Sequence, residues 1–226
     1  TVTAASVYNL KYSRYKEIAR LLPENSNGLY DNVEMVSKSL AFIMKTAMVK
    51  RLESSFYAFM KSLERFKDSN QYMINMFAND RVFIAPDLDI NHLYEQGLTD
   101  EEIEERLQEK AEDNPKNAVF KAEDFEKEYI DMLRADQKVL EEMCAQWETV
   151  DVEGADDSKF AKFQDLLKHE LFKKDRNPGQ KLVIFSESKD TVGYLQRRIN
   201  RKDVLVVDSS NRNKLFQTIQ ENFAAN

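Results

Sequence analysis

Residues 31–78 read DNVEMVSKSLAFIMKTAMVKRLESSFYAFMKSLERFKDSNQYMINMFA. No Gly or Pro falls between Gly28 and Pro86, so nothing in the covalent chain interrupts a helix here. Asp31 and Glu34 have the spacing of a capping box at its start. Apolar residues step by threes and fours through Val33, Val36, Leu40, Ile43 and Ala47. The stripe changes phase at Thr46 to Met48 and continues through Val49, Leu52, Phe56, Phe59, Leu63, Phe66, Met73 and Phe77. The spacing predicts a helix of unusual length with a wide apolar face, and the phase change marks either a break or a second buried stripe.

Working outward, residues 1–12 show little pattern, and Ser13 can cap a short helix stopped by Pro23. After the long helix, RVFIAPDLD (81–89) breaks the periodicity. Thr99 and Glu102 form a second capping box, and a further helix is expected over 122–150. DVEGADD (151–157) reads as an acidic linker, and Ser158 opens another helix. At NPGQ (177–180) the character changes. KLVIFS (181–186) and DVLVVD (203–208) are continuous apolar runs, each followed by a helical pattern, which predicts parallel strands in a β-α-β-α order. The fold class expected is mainly α with a small α/β part: a long-helix bundle followed by an incomplete parallel unit. Two domains are expected, a helical region over 1–175 with an inserted helical arm at about 79–150, and a β-α unit over 176–226.

Hydrophobic residues make up 42% of the 226-residue chain, enough for a core. The net charge of −7 gives no global field favouring nucleic acid, although a local basic patch could form. A single cysteine, Cys144, excludes an internal disulfide and fits a reducing, cytoplasmic setting. No apolar run approaches a membrane span. The first residue is Thr, which suggests a piece of a longer protein.

Few residues suggest chemistry. His92 and His169 lack ligands at metal spacing, so no metal site is expected. Cys144 lies on an apolar stripe with Met143 and Trp147 and reads as core rather than nucleophile. No phosphate-binding glycine loop is present, so no cofactor is expected in this chain. Asp208 ends an apolar run where α/β enzymes place acids, but no partner motif accompanies it. The acidic stretch DEEIEERLQEKAED reads as a solvated helix face. Ser186, Ser188, Lys189 and Thr191 lie where an expected strand turns into a helix, an arrangement suited to a phosphate. Simple N-capping by Ser188 is the competing account.

Several of these stretches resemble a known family. DDSKFAKFQDLLKHELF, KLVIFSESKDTVGYLQRRI and DVLVVDSSNRNKLFQTIQENF, taken in order, resemble the start of the second RecA-like lobe of Snf-type superfamily-two helicases. MVKRLESSFYAFMKSLERF resembles the long helix between the lobes of bacterial members. The resemblance implies a central fragment of an ATP-dependent DNA translocase, with DNA as partner and ATP and Mg used by the parent protein. No membrane partner is expected, and the unpaired edges of the incomplete sheet predict self-association through it. The motifs that bind and hydrolyse ATP are absent, so no catalytic residue carries over and the chain alone would be inactive. Ser186, Ser188, Lys189 and Thr191 carry over only as nucleic-acid contacts. The alternative reading is a non-enzymatic helical interaction module with a small α/β appendage.

Overall fold

The computed structural model describes residues 2–26, 32–85, 88, 89, 93, 102, 105, 106, 109, 110, 114, 116–186 and 188–223. The chain divides into two compact units, one of Thr1–Glu53 and Phe59–Thr149, the other of Ser54–Ala58 and Val150–Asn226. The fold is mainly helical with a small sheet, as the sequence predicts.

The long helix is two helices, α4 (Val33–Ser54) and α5 (Phe56–Ala78). The change of phase at Thr46 to Met48 lies inside α4, which runs through it unbroken. The break comes at Ser55, whose Oγ accepts a hydrogen bond from the Ala58 N–H at 3.3 Å. A serine hydroxyl that satisfies a first-turn N–H is an N-cap, so Ser55 starts a new helix without Gly or Pro. The capping box expected at the start of α4 rests partly on Asp31, which lies outside the described residues. Glu34 pairs instead with Lys38 at 2.8 Å, one turn along.

In the first unit, α1 (Val2–Asn9) leads into Tyr12, which adopts a left-handed conformation (φ 53°), and a 3-10 turn over Ser13–Lys16. Two one-turn helices follow, α2 (Glu17–Arg20) and α3 (Pro23–Ser26). Beyond α5, Asp80 takes φ 55°, and the Arg81 N–H returns to the Met76 carbonyl at 3.0 Å, closing the helix end. β1 (Val82–Ile84) then pairs antiparallel with β2 (Ala118–Phe120), Phe83 opposite Val119. Main-chain bonds from Leu22 to Asp124 and from Glu126 to Arg20, both 2.8 Å, tie residues 20–22 to 124–126.

α6 (Tyr129–Glu148) runs antiparallel along α5. Phe59 meets Trp147 with ring centroids 4.9 Å apart, Asn70 meets Leu133, and Phe77 meets Tyr129 at 5.5 Å. The stripes are heptad-like on both sides: 59, 63, 66, 70, 73 and 77 face 129, 133, 136, 140, 143 and 147. Phe59, Leu63, Met73, Tyr129, Leu133 and Leu140 are fully buried there.

In the second unit, α7 (Ser158–His169) is capped by Asp157, whose carboxylate accepts from the Phe160 N–H at 2.9 Å. α8 (Lys189–Ile199) is capped by Ser188 and closed by Asn200 at φ 46°. α9 (Arg212–Phe223) ends the described chain. Tyr194 of α8 is buried against Phe160, stacks on Tyr57 at 5.1 Å, and donates its hydroxyl proton to the Asp157 carboxylate, with the Val152 carbonyl 3.2 Å away.

The parallel strands expected at 181–186 and 203–208 do not form. Both segments lack secondary structure, and the one sheet among the described residues is antiparallel and lies elsewhere. Among the described residues, the main chain of Val183, Ile184, Phe185, Val204, Leu205 and Val207 has no hydrogen bond. Their side chains are exposed, Phe185 by 92%. A parallel strand depends on neighbours on both sides. No described segment pairs with either run, so the pattern is present in the sequence and the sheet is not.

Candidate functional site

Ser186, Ser188, Lys189 and Thr191 do come together, at the N-terminus of α8. Ser188 Oγ accepts from the Thr191 N–H at 3.3 Å, the cap that competes with a phosphate role. Ser186 Oγ accepts from the Ser188 N–H at 3.2 Å. Ser188 and Thr191 are buried, and the Thr191 hydroxyl has no hydrogen-bond partner. Lys189 is exposed, and its charge helps hold the Asp208 carboxyl below its usual range. Bonds from the Ser210 hydroxyl and from the Ser210 and Asn211 N–H groups are the larger causes of that shift. Asp208 thus organises its own turn, and its carboxylate is occupied by neighbours within three residues.

The first unit contains a polar junction that the sequence reading missed. Asp136 occupies a position in the apolar stripe of α6 and is 2% exposed. Its two carboxylate oxygens accept from the Lys11 N–H at 2.8 Å and the Ser13 N–H at 2.7 Å. The Tyr129 hydroxyl donates to the Ser13 carbonyl at 3.2 Å, and burial pushes its pKa well up. Around this point lie Arg14, paired to Glu17 at 3.3 Å, and Arg20, paired to Glu126 at 2.8 Å. The Lys16 ammonium is pushed below its ordinary pKa, first by burial and then by the charge of Arg20. The signal for Asp136 was available: a lone carboxylate at a heptad core position has to find donors. Asn70 is its counterpart on α5, donating to the Leu133 carbonyl and to Gln137 Oε1, both at 2.9 Å.

A cleft of about 200 Å³ opens beside Cys144, lined by Met60, Leu63, Glu64, Lys67, Asp68 and Glu148. That is smaller than the few hundred Å³ typical of organic-ligand pockets. Burial and then the surrounding carboxylates push the Cys144 thiol up, with Lys67 opposing them. A nucleophilic thiol needs the reverse, a lowered pKa beside a cation or base. Cys144 is therefore a core residue, as its stripe predicts. No group of three or more His, Cys, Asp or Glu able to hold a metal occurs among the described residues. His92 lies outside them, and His169 sits on exposed α7, 4.0 Å from Asp165.

α4 also carries exposed apolar side chains. Met35, Val36, Leu40, Phe42 and Ile43 are all exposed, Phe42 by 70%. Val36, Leu40 and Ile43 belong to the stripe that the sequence predicts as buried. The buried face is instead Ser37 and Met48, with Ala41 and Met44 half-buried between them.

A family model described as "Putative aromatic acid exporter C-terminal domain" matches residues 85–183. The match takes in β2, α6 and α7, under half of the 226 residues, and stops before the Ser186 to Thr191 turn. No curated protein and no solved structure matches the chain. The matched family is one of membrane exporters. It overturns the helicase reading, and with it the assignments of ATP binding, DNA binding and hydrolase activity. The expectation of a DNA partner and no membrane partner is corrected by the same finding. The expected sheet-edge association also loses its basis, because the sheet is not formed.

Proposed function

We propose that this chain is a non-enzymatic helical interaction module that works with a membrane exporter of aromatic acids, on the cytoplasmic side and without a bound cofactor. The match over residues 85–183 carries this reading. The character of the side chains supports it. The buried polar groups Asp136, Asn70 and Tyr194 are engaged in holding segments together, and Cys144 has a raised pKa. Exposed apolar surface on α4 leaves a face for a partner. Among the described residues, no helix is long and apolar enough to cross a membrane.

The test is in cells. Deleting the coding region for this chain should slow efflux of labelled benzoate, and the chain should be recovered with the membrane fraction. Unchanged efflux together with absence from the membrane fraction would sink the reading.

A further inference from the structure

Four of the six buried side-chain atoms without a hydrogen-bond partner among the described residues belong to one short segment, 13–20. They are Ser13 Oγ, Arg14 Nε, Glu17 Oε2 and Arg20 Nε, and Ser13 is fully buried. Buried polar atoms are nearly always paired with protein, water or an ion, so a cluster of unpaired ones needs a partner that the chain does not supply. The serine hydroxyl and the two Nε–H groups are donors, which calls for an acceptor. Local structure explains the grouping. Side chains three apart eclipse in a 3-10 turn, so the turn over Ser13–Lys16 sets Lys16 on the side of Ser13. The one-turn helix α2 then brings Arg20 back to Lys16, whose charge it reaches.

The charges identify the kind of acceptor. Residues 11–20 read KYSRYKEIAR, four cations and one carboxylate in a chain of net charge −7. Tertiary contacts add two carboxylates: Glu126 pairs with Arg20 at 2.8 Å, and Asp136 accepts from the Lys11 and Ser13 N–H groups. One positive charge stays in excess. It shows at Lys16, which is half-buried and has no ion pair among the described residues. Burial and then Arg20 push its ammonium below the ordinary pKa. A part-buried cation without a counter-ion is costly until an anion joins it. Beside it stands an aromatic wall: Tyr12 and Tyr15 pack on Phe66, with ring centroids 5.4 and 5.6 Å away. The Tyr15 phenol lies within the fields of Arg14 and Glu17.

We infer that residues 13–20 form a binding site for a small aromatic monocarboxylate, its carboxylate held by Lys16 and Arg20 with Ser13 and Arg14 beneath, and its ring against Tyr15. The side chains close over the unpaired atoms, so entry requires Arg20 to turn outward. Its pair with Glu126 permits this, because both side chains are about a third or more exposed and such a pair holds weakly. Two guanidinium groups then offer Nε–H donors to one carboxylate, the acceptor they match best. The choice of an aromatic acid rests on the exporter reading, whereas the anion site does not.

The test is calorimetric titration of the full chain with benzoate, acetate and inorganic phosphate at constant ionic strength, with urea unfolding in each. Benzoate should bind and raise the urea midpoint by mass action. Acetate, which lacks the ring, should bind about tenfold more weakly. Lys16→Gln should lose about tenfold in benzoate affinity, and Lys16→Arg should keep most of it. Without ligand, Lys16→Gln should be at least as stable as the wild type, because it removes an unpaired cation; a purely structural lysine would give a less stable variant with unchanged affinity. Ser13→Ala removes only an unpaired hydroxyl, so it should fold and lose about fivefold in affinity. If Lys16→Gln fails to fold, Ser13→Ala decides. No benzoate binding by the wild type, or equal binding by the folded variants, would overturn the proposal. Phosphate or acetate bound as tightly as benzoate would overturn the assignment to an aromatic acid. Benzoate binding together with unchanged efflux and absence from the membrane fraction would keep the site and end the exporter reading. Slowed efflux on deletion without benzoate binding would do the reverse.

Discussion

The residue with the most depending on it is Asp136. Its carboxylate satisfies the Lys11 and Ser13 N–H groups, at a bend where Tyr12 holds φ 53°. Replacing it by Ala leaves two donors unpaired, one of them buried. Asp136→Ala should therefore cost about 2–4 kcal/mol in urea unfolding, and Asp136→Asn, which keeps one acceptor oxygen, about half as much. A loss under about 0.5 kcal/mol for the alanine variant would mean that water serves the bend equally well. Tyr194 gives a pH signature. Burial, and then its bond to Asp157, push its phenol up to about 12 from the ordinary value of 10.0. The folded state thus holds the proton more tightly than the unfolded chain. The contribution is complete below pH 10 and is lost as pH rises from 10 towards 12. Burial raises the pKa of Tyr12, Tyr15 and Tyr129 as well, so tyrosinate absorbance should lose one of several late-titrating rings in Tyr194→Phe, and the stability of the wild type should fall more steeply over that interval. Equal slopes for the two proteins would refute the assignment.

At the scale of elements, α5 and α6 were legible and α4 was only half so. The stripe Phe59, Leu63, Phe66 and Met73 predicts the buried face of α5 correctly, because its partner α6 carries a matching heptad. The corresponding stripe of α4 predicts the wrong face. Periodicity shows that apolar residues share a side, but not whether that side meets protein. Two substitutions make the contrast measurable. Phe59 is fully buried against Trp147, so Phe59→Ala should cost about 3–5 kcal/mol. Phe42 is 70% exposed, so Phe42→Ala should change stability by no more than about 0.5 kcal/mol. Comparable losses in urea unfolding would mean that α4 packs with its other face inward. The break at Ser55 was illegible for a different reason: a Ser-Ser pair is tolerated inside helices, and only the bond to the Ala58 N–H turns the second serine into a cap. The polar positions Asp136 and Asn70 could have been read from their places in the heptads, whereas their partners, the Lys11 N–H and the Leu133 carbonyl, are tertiary facts.

For the whole molecule, the two units should differ in how firmly they hold their main chain. The first has two helices of about twenty residues locked along facing heptads, with aromatic rings and buried polar bonds between them. Opening any part of that interface exposes the rest, so its amides should exchange only through global unfolding. The second unit has helices of 11 or 12 residues, marginal lengths without tertiary support. Its support is concentrated around Tyr194, Phe160 and Asp157. Residues 183–185 and 204–207 have the β-branched composition of strands but contribute exposed apolar side chains and no ladder. An N–H without an intramolecular acceptor has nothing to protect it except exclusion from water. Hydrogen exchange on the full chain should therefore show the strongest protection at Leu63 to Met73 and Leu133 to Met143. Protection should be intermediate in α8 near Tyr194 and close to none at 183–185 and 204–207. Strong protection of the last two segments in a monomeric sample would overturn this ranking. It would mean that the two runs pair as strands in solution, and that the parallel unit expected from their composition forms after all.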